Sequence, residues 1–198
     1  FLEQLLRNSE EHDGEIPASL QSLVLARIDR LPQIDKAALQ AASVIGQRFE
    51  LDCLKSMLDD ENYDCRVPID HTLVHPEGAE FLFAHALVQQ GIYSSLLSPA
   101  RRQLHRRAAN YYETLDPTLC AQHLDRAEDA DAPKAYLRAA KAQSDLYHFE
   151  AALSLAERGL ELAEDPSLRA ALFCCKGEKL RNLGDTAQSA AAYRAALE

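Results

Sequence analysis

The chain has 198 residues, of which 47% are hydrophobic and 26% charged, an ordinary globular composition that permits one or two domains with buried cores. No apolar run reaches the roughly 18 residues of a membrane span, and no secretory signal is recognisable. Because the five cysteines are odd in number and form no CxxC, we expect reduced thiols and a cytoplasmic protein. The chain starts at Phe1 without Met, so we expect a piece of a longer protein.

The net charge of −10 is unevenly distributed. Residues 1–98 hold 7 Lys and Arg against 16 Asp and Glu, a balance of −9, whereas residues 99–198 hold 14 against 15, a balance of −1. Binding to a nucleic-acid backbone needs a basic face. The acidic first half therefore argues against nucleic acid as its partner.

Three helical segments are predicted in the first 58 residues. Residues 1–15 end in an acidic run and suggest a linker from an upstream domain, and a helix with proline in its first turn follows from 17 to 31. A second helix is predicted from 34 to 45, ended by Gly46, and a third segment from 49 to 58. The predicted buried face of the second helix consists of Ile34, Ala38, Ala41, Ala42 and Ile45.

A β-hairpin is predicted next. Residues 73–74, the Pro76-Glu77-Gly78 stretch and residues 81–83 form a strand, a turn and a strand. Three helices followed by a two-stranded hairpin is the order of a winged-helix domain. We therefore predict a winged-helix-like domain over residues 1–97.

The rest of the chain is predicted to be helical and repetitive. After a helix at 86–97, prolines recur at Pro99, Pro133 and Pro166, at spacings of 34 and 33 residues. This period is typical of the paired helices of tetratricopeptide repeats. The predicted fold is mainly α, with an α-solenoid of three helix pairs over 98–198, at about 98–131, 132–165 and 166–198; a non-repeating bundle is the alternative.

Small residues at matching offsets support the repeat. They are Ala140, Ala152 and Gly159 in one copy and Gly177, Ser189 and Ala196 in the next. Tyr193 stands at the bulky position between Ser189 and Ala196, and Leu183-Gly184-Asp185 is predicted to form the turn inside the last pair.

Chemical motifs are scarce. The sequence contains no GxxxxGK[ST], GxSxG or HExxH, so no catalytic residue and no metal site are predicted. His71 and His75 are four residues apart, but Pro76 follows directly and no third ligand is evident, which favours loop histidines. Adjacent Cys174 and Cys175 would point about 100° apart on a helix, and we expect them to be packing residues.

Two further candidates keep open alternatives. Arg101, Arg102 and Arg106 lie away from the predicted buried stripe of their helix, and form either a solvated face with ion pairs or a contact for an acidic partner, a nucleotide phosphate or nucleic acid. His85, between strand and helix, is either a buried histidine bonded to the backbone or a functional residue. The predicted stripe consists of Leu97, Ala100, Leu104, Ala108, Tyr111 and Leu115.

Five segments carry a family resemblance. They are IPASLQSLVLARIDRLP (16–32), AALQAASVIGQRFELDCL (37–54), FLFAHALVQQGIYSSLL (81–97), ARRQLHRRAANYYE (100–113) and AERGLELA (156–163). Together they resemble the region after the ATPase core in bacterial STAND-class, AAA-type signalling ATPases. Several members of that class carry class III adenylate/guanylate cyclase domains or transcription-regulator domains.

The resemblance implies a regulatory, non-catalytic chain. An upstream P-loop domain in cis would bind ATP or ADP with Mg²⁺, while this chain would hold no cofactor and would bind a protein or small-molecule effector on its helical repeats. His85 in FAHAL matches a histidine that contacts the nucleotide phosphate in related proteins, with Ala86 in place of the usual acidic residue. Part of a nucleotide cyclase and a DNA-binding winged-helix regulator are the alternatives.

Overall fold

A computed structural model of the chain describes residues 26–197 and divides into two compact units between Leu104 and His105. The predicted linker at 1–15 and most of the predicted helix at 17–31 lie outside the described residues. Of that helix, residues 26–28 are helical, and Ile28 and Leu31 are buried.

The first unit combines four helices with a small sheet in the part that is described. Its elements are α1 (Gln33–Ile45), β1 (Arg48–Glu50), α2 (Leu51–Leu58), α3 (Arg66–Asp70), β2 (Val74–Glu77), β3 (Glu80–Phe83) and α4 (Ala86–Ser95).

The three strands form an antiparallel sheet in the order β1-β3-β2. The predicted hairpin is present, and its turn contains Gly78 at a φ of 64°, where glycine is unstrained. The prediction of a helical segment starting at Phe49 was wrong, because Phe49 pairs with Phe81 in the sheet and α2 begins at Leu51. Arg48 also bridges the strands, 2.8 Å from Glu77 and 3.0 Å from Glu80.

Large apolar side chains fill the core of the first unit. Phe49 and Phe83 pack at a ring-centroid distance of 5.5 Å. Around them, the buried side chains include Leu39, Val44, Leu54, Met57, Leu73, Val74 and Ile92.

The buried face of α1 differs from the predicted one. Ile34 is 44% exposed, whereas Asp35 is buried. The reason is a hydrogen bond, because the Tyr63 hydroxyl donates to Asp35 Oδ1 at 3.0 Å and so satisfies the buried carboxylate. Gly46 ends the helix as predicted, its N–H donating to the carbonyl of Ala42.

The helices that follow are arranged in three pairs. These are α5 (Ser98–Tyr112) with α6 (Pro117–Arg126), α7 (Ala132–Asp145) with α8 (Phe149–Leu162), and α9 (Pro166–Asn182) with α10 (Thr186–Ala195). Helix α5 begins in the first unit and ends in the second. The predicted fold class, mainly α with a small β-hairpin followed by an α-solenoid of helix pairs, is confirmed; the predicted domain limits at 97 and 98 stay a prediction.

Prolines and aspartates start these helices. Prolines stand in the first turn of α6, α7 and α9, where the missing N–H is not needed. The side chains of Asp116, Asp165 and Asp185 accept hydrogen bonds from backbone N–H groups of α6, α9 and α10 respectively, which caps those helices.

Small residues bring the paired helices close together. Ala140 and Ala152 are fully buried. A Cβ atom at Gly159 would lie 2.8 Å from Leu172 Cδ2, and one at Gly177 would lie 3.1 Å from the Tyr193 ring. Only glycine therefore fits at Gly159 without movement of its neighbours.

The predicted buried stripe of α5 was only partly correct, since Ala108 is buried and Leu104 and Tyr111 are half-buried. Leu97 and Leu115 are 78% and 64% exposed, and the buried residues of the helix are His105, Ala108, Ala109 and Tyr112. Two histidines that contact each other explain the difference, since they draw the His105 side of the helix inward. No helix within residues 26–197 is long and apolar enough to span a membrane.

Candidate functional site

A cavity of about 210 Å³ opens in the second unit between α5, α6 and α7. Ala109, Leu124 and Ala135 form apolar parts of its wall. Its polar lining consists of Asn110, Glu113, Cys120, Asp131, Lys134 and Arg138. A concave site of this kind, apolar with a few convergent polar groups, is typical of ligand binding.

Two cations stand on the same side of the cavity. Lys134 and Arg138 are four residues apart on α7, so their side chains lie on one face of the helix, and both are exposed. Glu113, in the turn after α5, lies 3.6 Å from Arg138, an exposed ion pair of small net energy. The pair therefore leaves Arg138 able to exchange Glu113 for an incoming carboxylate or phosphate.

Cys120 lies at the bottom of the same cavity and is buried. Arg138 Nη2 donates to its Sγ at 3.7 Å, but burial outweighs this contact and raises the pKa of the thiol. A protonated thiol is a poor nucleophile. The arrangement therefore suits binding of an anionic or polar group rather than covalent chemistry.

A second cavity, of about 440 Å³, is acidic. Five carboxylates line it, those of Asp125, Glu128, Asp129, Glu164 and Asp165. Burial alone would raise the pKa of Asp125, but hydrogen bonds from Arg158 and Tyr136 hold it below its ordinary value. A hydrogen bond from Arg106 likewise lowers the pKa of Asp129. These two carboxylates thus serve the packing of the repeats.

A buried histidine pair joins α5 to α6. His105 Nδ1 and His123 Nδ1 are 2.9 Å apart, and the Tyr112 ring stacks on His123 at a centroid distance of 5.7 Å. Since one nitrogen must donate and the other accept, the pair cannot be doubly protonated. Burial, with a smaller contribution from Arg126, lowers the pKa of His123 to about 4.

His85, the predicted nucleotide sensor, is the residue before the first turn of α4. Its backbone is extended, its side chain is half-buried, and its carbonyl accepts from the N–H groups of Val88 and Gln89. The imidazole does not cap the helix. A nucleotide-sensing role for His85 stays a prediction.

The three arginines of the predicted anionic contact have separate environments. The Arg101 guanidinium lies over the Tyr93 ring at 5.3 Å, and Arg102 is half-buried. Arg106 Nε donates to Asp129 Oδ2 at 2.7 Å. The Arg106 contact agrees with the ion-paired alternative, and the anionic-contact role of the three arginines stays untested.

The histidines considered as metal ligands are surface residues of the first unit. His71 and His75 are both exposed, and the second lies in β2. Across the described residues, no group of three or more His, Cys, Asp or Glu side chains is placed to hold a metal ion.

The cavity residues Lys134 and Arg138 escaped the sequence analysis. Their spacing of four residues on a predicted helix was a usable signal. Yet Asn110 and Glu113, which complete the cavity, precede them by more than twenty residues, and only the fold of the helix pairs places the two sets around one cavity.

The comparisons with known proteins are sparse. No family model and no curated protein matches the chain. Among solved structures, the chain is similar to a Signal Transduction ATPase with Numerous Domains (STAND) protein with a tetratricopeptide repeat sensor from Pyrococcus horikoshii, at 13% identity and a TM-score of 0.47. The match covers 95% of this chain but 34% of that protein. A likeness at this level carries no argument about function.

Proposed function

We propose that the chain is a non-catalytic regulatory part of a STAND-type signalling ATPase. In this proposal the helix pairs of residues 98–198 bind an effector, and a winged-helix-like domain within residues 1–97 conveys the binding to a nucleotide-dependent switch in an upstream ATPase domain. The proposal starts from the five sequence segments that resemble this class and is supported by features of both units.

The element order of the first unit supports the winged-helix-like assignment. A helix, a short strand, two helices and a two-stranded hairpin follow one another, and the hairpin strand β3 lies between β1 and β2. For a DNA-binding role, the helix before the hairpin should be basic. Here α3 has five residues and carries both Arg66 and Asp70, which favours a regulatory role over DNA binding.

The observation that carries the effector-binding role is the 210 Å³ cavity with Lys134 and Arg138 on its wall. Two cations beside an apolar wall suit an effector that combines an anionic group with an apolar part. Helical repeats present such surfaces on the faces of successive pairs. An acidic peptide or a small organic acid is therefore the expected effector class.

Isothermal titration calorimetry with a panel of short acidic peptides, each with a free or an amidated carboxyl end, tests this role. We expect Lys134→Ala and Arg138→Ala each to weaken binding about 10-fold, as for loss of a charge-assisted contact. Arg181→Ala is the matched control, because it removes one exposed positive charge from another helix pair. Equal losses in all three variants would indicate a non-specific charge effect and contradict the proposed site.

Coupling to the switch needs the full-length protein. An imidazole at position 85 can donate to a phosphate oxygen and so favour one state of a two-state equilibrium. We expect His85→Ala to raise basal activity by weakening an ADP-bound inactive state, with His75→Ala, an exposed hairpin residue, as control. Unchanged nucleotide affinity and basal activity would assign His85 to packing alone.

A further inference from the structure

Three turns of the second unit have the same backbone design. They join α6 to α7, α7 to α8 and α9 to α10. In each turn, two backbone N–H groups donate to carbonyl oxygens three and five residues earlier. The bonds are Glu128 N to Asp125 O (2.8 Å), Asp129 N to Leu124 O (3.0 Å), Tyr147 N to Ser144 O (2.9 Å), His148 N to Gln143 O (3.0 Å), Gly184 N to Arg181 O (3.0 Å) and Asp185 N to Leu180 O (2.9 Å).

The residues that occupy these turns differ. The left-handed position is taken by Gly184 at a φ of 88° in the last turn, but by Glu128 at 53° in the first and by Tyr147 at 62° in the middle one. Glycine adopts this conformation freely, whereas a side chain is strained there. The next residue, Asp185, caps α10, while His148 provides no side-chain cap for α8. The middle turn therefore lacks both stabilising residues of the last one.

Packing within the unit does not account for this choice. Tyr147 is 80% exposed and the preceding Leu146 is 60% exposed. Phe149 is half-buried, and its ring meets that of Tyr147 edge-on at a centroid distance of 6.0 Å. Since Phe149 holds the Tyr147 ring in place, a partner that contacts the ring loses little side-chain entropy.

The surroundings of the turn are acidic. Asp145 and Glu150 flank it and are exposed. From 142 to 157 the sequence contains no Lys or Arg, and Lys179 of α9, which donates to the Ser144 hydroxyl, is buried. The 146–149 turn thus presents an exposed aromatic side chain that is flanked by acidic residues.

We propose that the 146–149 turn is a protein-docking surface anchored by Tyr147, and that its partner presents an apolar pocket rimmed by Lys and Arg. Charge complementarity selects this partner, and the same argument disfavours a second copy of this chain, whose net charge is −10. The surface is distinct from the cavity, because Tyr147 follows Lys134 by 13 residues, about 20 Å along a helix.

Selection of a displayed library of short random peptides on the immobilised chain tests this proposal. Apart from acidic peptides that occupy the cavity, we expect a class of enriched peptides that combine apolar side chains with Lys or Arg. Their affinity, measured by fluorescence anisotropy, should fall at least about 10-fold for Tyr147→Gly, as for the loss of a central aromatic anchor. The same variant should raise the Tm by about 2–4 °C, since glycine relieves the strained backbone.

Two controls locate the binding. Leu183→Ala changes the exposed leucine of the other turn and should leave the affinity unchanged, while Asp145→Asn combined with Glu150→Gln should lower it about threefold. Retained affinity of these peptides in Tyr147→Gly, or no enrichment of peptides with Lys or Arg, overturns the proposal. Loss of affinity in Lys134→Ala also overturns it, because the peptides would then occupy the cavity.

Discussion

The two units of the chain are stabilised by different means. In the first, a few large side chains such as Phe49 and Phe83 fill a core beside a three-stranded sheet. In the second, small residues such as Ala152 and Gly159 let helices approach, and polar contacts join one pair to the next. We therefore expect the stability of the first unit to depend most on the loss of side-chain volume. The stability of the second unit should depend most on added side-chain volume and on pH.

Removal of volume from the first core should have the largest effect. We expect Phe83→Ala to lower the free energy of unfolding by about 3–5 kcal/mol, because the ring is fully buried and a cavity would remain. Urea denaturation followed by circular dichroism measures it. Phe81→Ala is the control, because Phe81 lies on the same strand but is only half-buried, and this variant should lower the free energy of unfolding clearly less. Equal losses would contradict the assignment of the core.

Acid should loosen the second unit through His123. Its pKa is about 4 in the folded chain and about 6.5 when unfolded, so the unfolded state binds more protons between these values. Stability is therefore full above pH 6.5 and falls as the pH drops towards 4, by up to about 3 kcal/mol.

Urea denaturation at several pH values between 7.5 and 4.5 checks this dependence. The slope of the free energy of unfolding against pH should flatten in His123→Gln. It should stay unchanged in His75→Gln, which alters an exposed histidine of the first unit. A slope that survives in His123→Gln would assign the acid sensitivity to other groups.

Added volume should harm the second unit at one glycine. Gly159→Ala places a methyl group 2.8 Å from buried Leu172 and 3.2 Å from Tyr136 Cβ. Alanine has the higher helix propensity, which offsets part of the cost of this clash. We therefore expect the free energy of unfolding, measured by thermal or urea denaturation, to fall by about 1–2 kcal/mol. Gly177→Ala is the matched control, because it meets the half-buried ring of Tyr193, which has room to shift. A stabilised Gly159→Ala variant would refute close packing at this position.

The smallest expected effect concerns the network between helix pairs. Asp125 Oδ2 accepts from Arg158 Nε at 2.8 Å and from the Tyr136 hydroxyl at 3.0 Å, which joins α6 to α7 and α8. We expect Asp125→Asn to cost about 1 kcal/mol, because Arg158 is largely exposed and solvent screens the pair. Glu157→Gln, which removes an exposed pair with Lys176, should change stability less.

Salt and pH distinguish the Asp125 network from a packing effect. The pKa of Asp125 is lowered in the folded chain, so its contribution is present above pH 4 and is lost as the pH falls through the folded pKa. The difference between wild type and Asp125→Asn should therefore shrink in acid and in high salt. A difference in the free energy of unfolding that is the same in acid and in high salt would indicate lost packing instead.

Sequence patterns predicted the helices well, because their signals are local. The turn at 183–185, the end of α1 at Gly46 and the close packing at Gly159 follow from residue types within a few positions. Strand β1 was missed, since three residues carry no period of their own and gain their structure from pairing with residues 80–82.

The candidate site was harder to predict for a related reason. The face of α5 is set by His105, whose partner His123 lies in the next helix, and helical periodicity cannot weigh a buried polar pair against leucines. The cavity depends on how α5, α6 and α7 are arranged in space, which the spacing of residues along the chain does not reveal. The left-handed backbone of Tyr147 is likewise not signalled by its residue type, since Glu128, Tyr147 and Gly184 hold this position in equivalent turns.

The cysteines give the chain a built-in chemical reporter. Cys174 is exposed, whereas its neighbour Cys175 and the other three thiols are buried. A maleimide dye should therefore attach at a single place on α9 while the chain stays folded, without any engineered site. The remaining four thiols would react only as their surroundings open, so timed thiol titration would record the unfolding of both units in one experiment.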